Sequence, residues 1–312
     1  MNLHADKASF LDLCKATSAW KHLPSTAIER DYYIVLALSR LAESEFADEA
    51  VFKGGTSLSK CYPGSIERFS EDIDLTYLGM DEDDKTCSKK IKSILKVMGQ
   101  DAKEIRKIPG EGNARNHSRL LIYGDDVKGI KLEIGCTVKP DPFYKKEVKT
   151  YIQEYLENSG MENVILSYGF SPIAVNALAI ERTFIDKVMA VKRHAICGNL
   201  PDKARHIYDV VRLNKMEEIK LFLGKKDELK TILQKVKETD SFYLAKRRLD
   251  VAYDSRGQYS FSSWRTEFET EEVKSHYDQL PKKLLYSDEV ICFEDAVKTF
   301  ENLDGIFKEI GE

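Results

Sequence analysis

Apolar residues recur with two different periods along this 312-residue chain, and the change of period divides it. Ile28, Tyr32, Val35 and Leu36 follow one another at helical spacing, and Thr26 with Glu29 reads as a capping box opening that helix. Val51 and Phe52 predict a short strand broken by Gly54-Gly55, with a brief helix over 56–62 closed by Pro63-Gly64. Ile73, Leu75 and Tyr77 then alternate with Asp72, Asp74 and Thr76, as a strand with one greasy and one acidic face requires. Ile91, Ile94, Leu95 and Met98 mark another helix, and strands follow at 119–123 and 129–136. In the second of these, Ile130, Leu132 and Ile134 alternate with Lys131 and Glu133.

Beyond residue 178 the period is helical almost throughout. Ile180, Phe184, Val188 and Val191 form one stripe; Ile207, Val210 and Val211 form another. Strands and helices first, then a run of helices, predict an α+β protein. Residues 1–178 would form a sheet-bearing domain with N-terminal helices, and residues 179–312 a helical C-terminal domain.

Composition narrows the class. A hydrophobic fraction of 42% with 32% charged residues is that of a globular protein, and 48 basic against 52 acidic side chains excludes both a disordered polyanion and a histone-like polycation. The strongest apolar stretch, residues 32–38, falls far short of the roughly 18 residues that cross a bilayer, and no export signal opens the chain. Six cysteines stand singly, without a CxxC pair, so they read as reduced, mostly buried thiols of a cytoplasmic protein. Residues 182–250 carry 17 basic against 10 acidic groups, which makes that block the candidate electropositive surface for a polyanion. The acidic run 81–84 lacks the glycine and spacing of a calcium loop and reads as a solvated helix start.

The candidate chemistry lies at two places close in sequence. Glycines entering a helix let backbone N–H groups approach a polyphosphate at the positive end of the helix dipole, and Thr56 and Ser57 add hydroxyl donors. The spacing from Gly55 to Lys60 is not that of a Walker A loop. Side chains at i and i+2 of a strand share a face about 6 to 7 Å apart, so Asp72 and Asp74 suit a shared hard cation such as Mg2+, with Glu133 as third acid. Taken singly, a glycine pair is a plain turn and alternating acids are a solvent face; their conjunction in this order is what points to phosphate chemistry.

The stretches 52–60 (FKGGTSLSK) and 68–75 (RFSEDIDL) resemble the signature of the AbiEii/AbiGii toxin family of nucleotidyltransferases, a branch of the DNA polymerase β-like superfamily. The stretches 181–187 (ERTFIDK) and 203–209 (KARHIYD) resemble its second motif pair, and 28–33 its opening helix. Ile185 stands where many relatives carry an aromatic residue, a departure that touches packing rather than chemistry, and Gly-Gly-Thr, common within this branch, replaces the superfamily's usual Gly-Ser. The resemblance implies a small mixed sheet with flanking helices plus a helical C-terminal lobe. It implies a toxin of a bacterial toxin–antitoxin or abortive-infection system, opposed by a cognate antitoxin, that moves a nucleotide from a nucleoside triphosphate to an RNA, transfer RNA foremost, or to a protein.

By the same resemblance, Asp72, Asp74, Lys187 and Asp209 are catalytic, with Asp72, Asp74 and Glu133 on Mg2+. Gly54, Gly55, Thr56, Ser57, Lys60, Arg68 and Arg205 contact the nucleotide. Read without it, Lys187 is an exposed helix lysine, Asp209 a surface ion-pair partner and His206 a structural histidine. Lys192-Arg193-His194 and Lys246-Arg247-Arg248 are candidate acceptor-binding clusters, with Tyr243 or Trp264 to stack on a base. A γ-phosphate transferase and a nucleotide sensor without catalysis remain alternatives.

Overall fold

The computed structural model describes residues 1–126, 128–246, 251–283, 285–286, 289 and 291–312. The chain divides into two units, one of residues Met1–Cys61 with Phe69–Leu178, the other of Tyr62–Arg68 with Ala179–Glu312.

In the first unit the described residues form a seven-stranded mixed sheet in the order β3-β4-β5-β2-β1-β7-β6. The strands are β1 (Ala50–Lys53), β2 (Ile73–Tyr77), β3 (Glu104–Lys107), β4 (Asn116–Ile122), β5 (Ile130–Gly135), β6 (Phe143–Val148) and β7 (Ile173–Leu178). Its helices are α1 (Lys7–Lys21), α2 (Ser25–Ala42), α3 (Gly54–Cys61), α4 (Asp84–Met98), α5 (Tyr151–Asn158) and α6 (Glu162–Tyr168). Ile73 and Leu75 of β2 and Ile130, Leu132 and Ile134 of β5 are buried, as their alternation demands. α4 packs on β4 and β5, and α2 on β7. Mean burial is set by one face; Asp74 and Glu133 occupy the other, half-buried.

The α+β class is as expected, but the sheet is larger than the small one predicted. β3, β6 and β7 escaped the periodicity. β3 is exposed along its whole length, so no apolar alternation marks it. The capping box is also corrected: α2 begins at Ser25, before Thr26, with Pro24 as N-cap, whose ring offers no side-chain acceptor; its carbonyl accepts from the Ala27 and Ile28 N–H groups. Asp83, in the acidic run, does cap α4, its carboxylate accepting from the Lys85 and Thr86 N–H groups.

The second unit is helical: α7 (Ile180–Ile196), α8 (Ala204–Lys215), α9 (Glu217–Leu223), α10 (Lys226–Lys246), α11 (Arg265–Phe268), α12 (Glu271–Asp278), α13 (Leu280–Lys283) and α14 (Phe293–Glu309). The predicted stripes of α7 and α8 are its core, with Phe184, Val188, Val191, Ile207 and Val210 inaccessible to solvent. The segment Tyr62–Arg68 is stitched into this unit by an Arg68–Leu285 bridge, a Tyr286 N–H donated to the Glu67 carbonyl at 3.1 Å, and an Arg212–Glu67 ion pair. No helix among the described residues is long and apolar enough to cross a membrane.

Candidate active site

β1 delivers the chain to Gly54, whose φ of +81° is a left-handed conformation that only glycine adopts without strain. The turn is needed because the chain passes directly from strand to helix α3. It also places position 54 against β2: a Cβ there would lie 3.3 Å from the Asp74 Cβ and Cγ and would collide with its Oδ2. The register agrees, since Lys53 pairs with Asp74 across the antiparallel β1–β2 ladder. The missing side chain is what lets the Asp74 carboxylate lie against the turn, whose following N–H groups have no intrahelical acceptor.

Asp74 is also the register partner of Glu133 on the parallel strand β5, and Asp72 immediately precedes β2, two residues before Asp74. The backbone thus assembles the three predicted acids. Their side chains do not converge, however. The Glu133 carboxylate, expected on the metal, accepts from Asn116 Nδ2 at 3.1 Å and meets Lys131 Nζ at 3.4 Å. Lys131 stands two residues away on the same face of β5, and its charge is the nearest compensation. Among the described residues, no three carboxylate, thiol or imidazole side chains are grouped as a metal site. Asp72 and Asp74 supply hard oxygen donors, the ligand type that a small hard cation takes.

The hydroxyls of α3 point inward. Thr56 Oγ1 donates to Ser70 Oγ at 3.0 Å, and Ser57 Oγ donates to the Phe52 carbonyl at 3.2 Å, both from buried side chains. Both hydroxyls, expected as donors to phosphate, bond within the protein here and fix the turn. Lys60, expected at the nucleotide, meets a carboxylate. It is buried, with Nζ donating to Asp31 Oδ1 at 2.6 Å and lying 4.0 Å from the Tyr151 ring centroid, while the Tyr151 N–H donates to Asp31 Oδ2. Asp31 was legible as a partner, for it falls between Ile28 and Tyr32 on the apolar stripe of α2, where a charge needs compensation.

In the helical unit, Asp209 binds two cations. Arg68 Nε and Nη2 donate to its two oxygens at 2.5 and 2.7 Å, and Lys187 Nζ donates to Oδ2 at 2.6 Å. Asp209 is completely buried, and Arg68 and Lys187 nearly so. Burial by itself would raise the Asp209 carboxyl, but the charges of Arg68 and Lys187 overcome it and hold the group far below the usual carboxylate range. Burial lowers the Lys187 ammonium against the pull of Asp209. It also pushes the neighbouring His206 imidazole well below its ordinary value, with the charge of Lys187, 3.5 Å from Nδ1, acting in the same direction. Arg68, expected at the nucleotide, is thus committed to Asp209. Neither Lys187 nor Asp209 is the surface residue that each is when read alone. Arg205 is exposed.

Among the described candidates for acceptor binding, Lys192 and Trp264 are buried, and Arg193, His194 and Tyr243 are half-buried. Lys192 is buried and donates to the Gln258 carbonyl, Arg193 pairs with Asp240, and His194 bonds Asn199. Trp264 is fully buried, its indole N–H donated to the Tyr259 carbonyl and its ring edge-on to Phe261 at 4.7 Å, so it cannot stack on a base. The spacing of Phe261, Trp264 and Phe268 is that of a packed helical stripe, a signal available in the sequence. Of the other cluster, Arg247, Arg248 and the Lys246 side chain lie outside the described residues.

Two solved structures are similar to the chain. JHP933 from Helicobacter pylori is 18% identical, with 84% of this chain and 96% of that one aligned at a TM-score of 0.41. MenT4, a nucleotidyltransferase toxin from Mycobacterium tuberculosis, is 19% identical, with 91% and 94% aligned at 0.46. No curated protein matches the chain. Residues 36–298 match the family model of the nucleotidyl transferase AbiEii toxin, type IV TA system. That match spans most of the sequence, both motif pairs included, and the chain belongs to the AbiEii family of nucleotidyltransferase toxins.

Proposed function

We propose that this toxin transfers the nucleotidyl unit of a nucleoside triphosphate to an RNA acceptor in the cytoplasm, with Mg2+ and with release of pyrophosphate. The observation that carries the reading is the contact of Gly54 with Asp74, which brings a phosphate-binding turn against a carboxylate. Nucleotidyltransferases of this kind generally use a divalent metal. Asp72 and Asp74 would hold it, where it would polarise the α-phosphate and favour ionisation of the attacking hydroxyl.

The chain's own contributions follow from position. Backbone N–H groups of Gly55 and Thr56 bind phosphate oxygens, and the dipole of α3 adds to that attraction. Ser57 and Ser70 hold the turn. In the helical unit, Lys187 and Asp209 are required because they fix Arg68, four residues before Asp72 in the chain. Arg205, exposed on the helical unit, is assigned to the RNA backbone. A cognate antitoxin opposes the activity.

Incubation with α- or γ-labelled triphosphates, bacterial RNA and Mg2+ tests the reaction. α-Label on RNA is expected. γ-Label on the acceptor would instead make the protein a kinase, α-label on protein would replace RNA as acceptor, and triphosphate binding without either label would make it a sensor.

A further inference from the structure

Helix α4 is cationic along one side. Residues 85–100 hold five lysines and no acidic side chain. Four of them, Lys85, Lys89, Lys92 and Lys96, are exposed at i, i+4, i+7 and i+11, which is a single helix face about 16 Å long. The fifth, Lys90, turns away to Glu49 at 3.4 Å. No ion pair among the described residues relieves the other four. Lys85 follows the acids of the helix start, so the uncompensated stretch begins at Lys89. Like charges three and four residues apart repel and weaken a helix, a cost that a bound polyanion removes. The reaction described above makes no use of this face.

The sheet continues the charge. α4 packs on β4 and β5, and Ser88 Oγ lies 3.1 Å from His117 Nε2 of β4. Burial lowers the His117 imidazole and the charges of Arg119 and Lys92 lower it further, which puts one cation of the strand and one of the helix around the same ring. Lys107, on the edge strand β3, pairs in register with Arg119, so their side chains share a face. Arg119 is half-buried and Lys107 exposed, and neither enters an ion pair among the described residues; the nearby Glu104 is held by Arg106. His117 and Arg119 lie opposite Ile134 and Leu132, whereas Ser118 lies opposite Glu133. The cations thus occupy the sheet face turned away from Glu133 and its register partner Asp74.

We propose that the face formed by Lys89, Lys92, Lys96, Lys107 and Arg119 holds the sugar-phosphate backbone of the acceptor RNA, as an exosite on the reverse of the sheet. Lysine and arginine contact phosphates whatever the base, which positions a polynucleotide without reading it. The residues speak for RNA over an acidic protein. α4 exposes only Asp84 and the four lysines, and Ile105 of β3, 41% exposed, is one apolar side chain against five cations. A protein interface is anchored instead by a buried apolar or aromatic cluster. β3 is an edge strand three strand spacings, or about 14 Å, from β2, so a few nucleotides pass round that edge to the face of Asp74. The role of the bound RNA as acceptor rests on the function proposed above; its binding to this face does not.

Fluorescence anisotropy of unfractionated bacterial transfer RNA, titrated with the full chain, tests the face. Lys89→Gln/Lys92→Gln/Lys96→Gln removes three exposed charges and is expected to weaken RNA at least tenfold at about 50 mM salt, with an unchanged melting temperature. Each phosphate contact adds roughly 0.7–0.9 to the slope of log affinity against log salt, so the slope is expected to fall by about 2. Lys220→Gln/Lys225→Gln/Lys226→Gln removes as much charge from the helical unit and is expected to bind within twofold of wild type. No RNA binding by wild type, wild-type affinity in the α4 variant, or equal losses in both variants would overturn the exosite. Polyglutamate binding as tightly as RNA would also overturn it and make the face a site for an acidic protein. In the labelling assay, the α4 variant is expected to raise KM for RNA at least fivefold and to leave KM for the triphosphate unchanged; an unchanged KM for RNA overturns the link to the acceptor. If no acceptor takes α-label from wild type, the proposed function fails, whereas lysine-dependent RNA binding would still uphold the face.

Discussion

Gly54 packs directly on the Asp74 carboxylate, so the glycine turn into α3 and the acid of β2 are built as one unit of structure. Both features of Gly54 resist substitution. The backbone is left-handed at φ +81°, and the place of a Cβ is already filled.

Gly54→Ala is therefore expected to cost about 1–2 kcal/mol from backbone conformation alone and to displace Asp74. Nucleotidyl transfer should fall at least a hundredfold while the protein remains folded at 25 °C. Thermal melting and α-label transfer measure the two effects separately. Wild-type transfer by this variant would show that the contact has no part in the reaction.

Asp209 carries the largest electrostatic commitment of the helical unit. Asp209→Asn leaves the Arg68 and Lys187 charges buried around a neutral amide and is expected to destabilise the protein by about 3–5 kcal/mol. Denaturant titration of the full chain would reveal it. A cost below about 1 kcal/mol would mean that the triad is not formed in solution.

The same group fixes the sign of an acid limb. Its folded pKa lies below the unfolded value, so its stabilisation is complete above the ordinary carboxylate range, near pH 4, and drains away as pH falls from there toward the folded value. Denaturation midpoints of wild type measured from pH 6 to pH 3 should fall more steeply than those of Asp209→Asn. Parallel curves would contradict the depressed pKa.

Lys60 tests whether its buried pair outweighs any role at the nucleotide. Lys60→Met strands Asp31 in the interior and should cost about 3 kcal/mol, most of it recovered in the double variant Asp31→Asn/Lys60→Met, where the amide oxygen still accepts the Tyr151 N–H. Additive losses in the double variant would refute the pairing.

The sequence displayed the elements whose two faces differ. β2 and β5 alternate strictly, and α7 and α8 carry apolar stripes, so the α+β class and the acidic face were readable before any coordinates. β3 was hidden by uniform exposure, and the capping box was a local pattern overridden because the helix starts earlier, at Ser25, with Pro24 as its N-cap. Partners distant in the chain were not readable. Arg68 and Asp209 are 141 residues apart, and no local period signals their meeting, although Tyr208 and Val210 on either side of Asp209 hint that it is buried. The same rule explains Lys192, which follows the buried Val191 and reads as a surface cation only when charge is counted without regard to helix face. For Glu133 the backbone prediction and the side-chain outcome part ways. Its register beside Asp74 follows from the strand pattern, whereas the pull of Lys131 and Asn116 is a matter of rotamer that periodicity does not contain.

The most direct measurement compares wild type with Asp74→Ala for α-label incorporation into RNA, in Mg2+ and after its removal by chelation, with a matched melting curve for each protein. Asp74 is a half-buried strand residue, and its loss is expected to change stability by no more than about 1 kcal/mol. The account predicts Mg2+-dependent labelling by wild type and none by the folded variant. Equal labelling by the two proteins, or labelling that survives chelation, would contradict it.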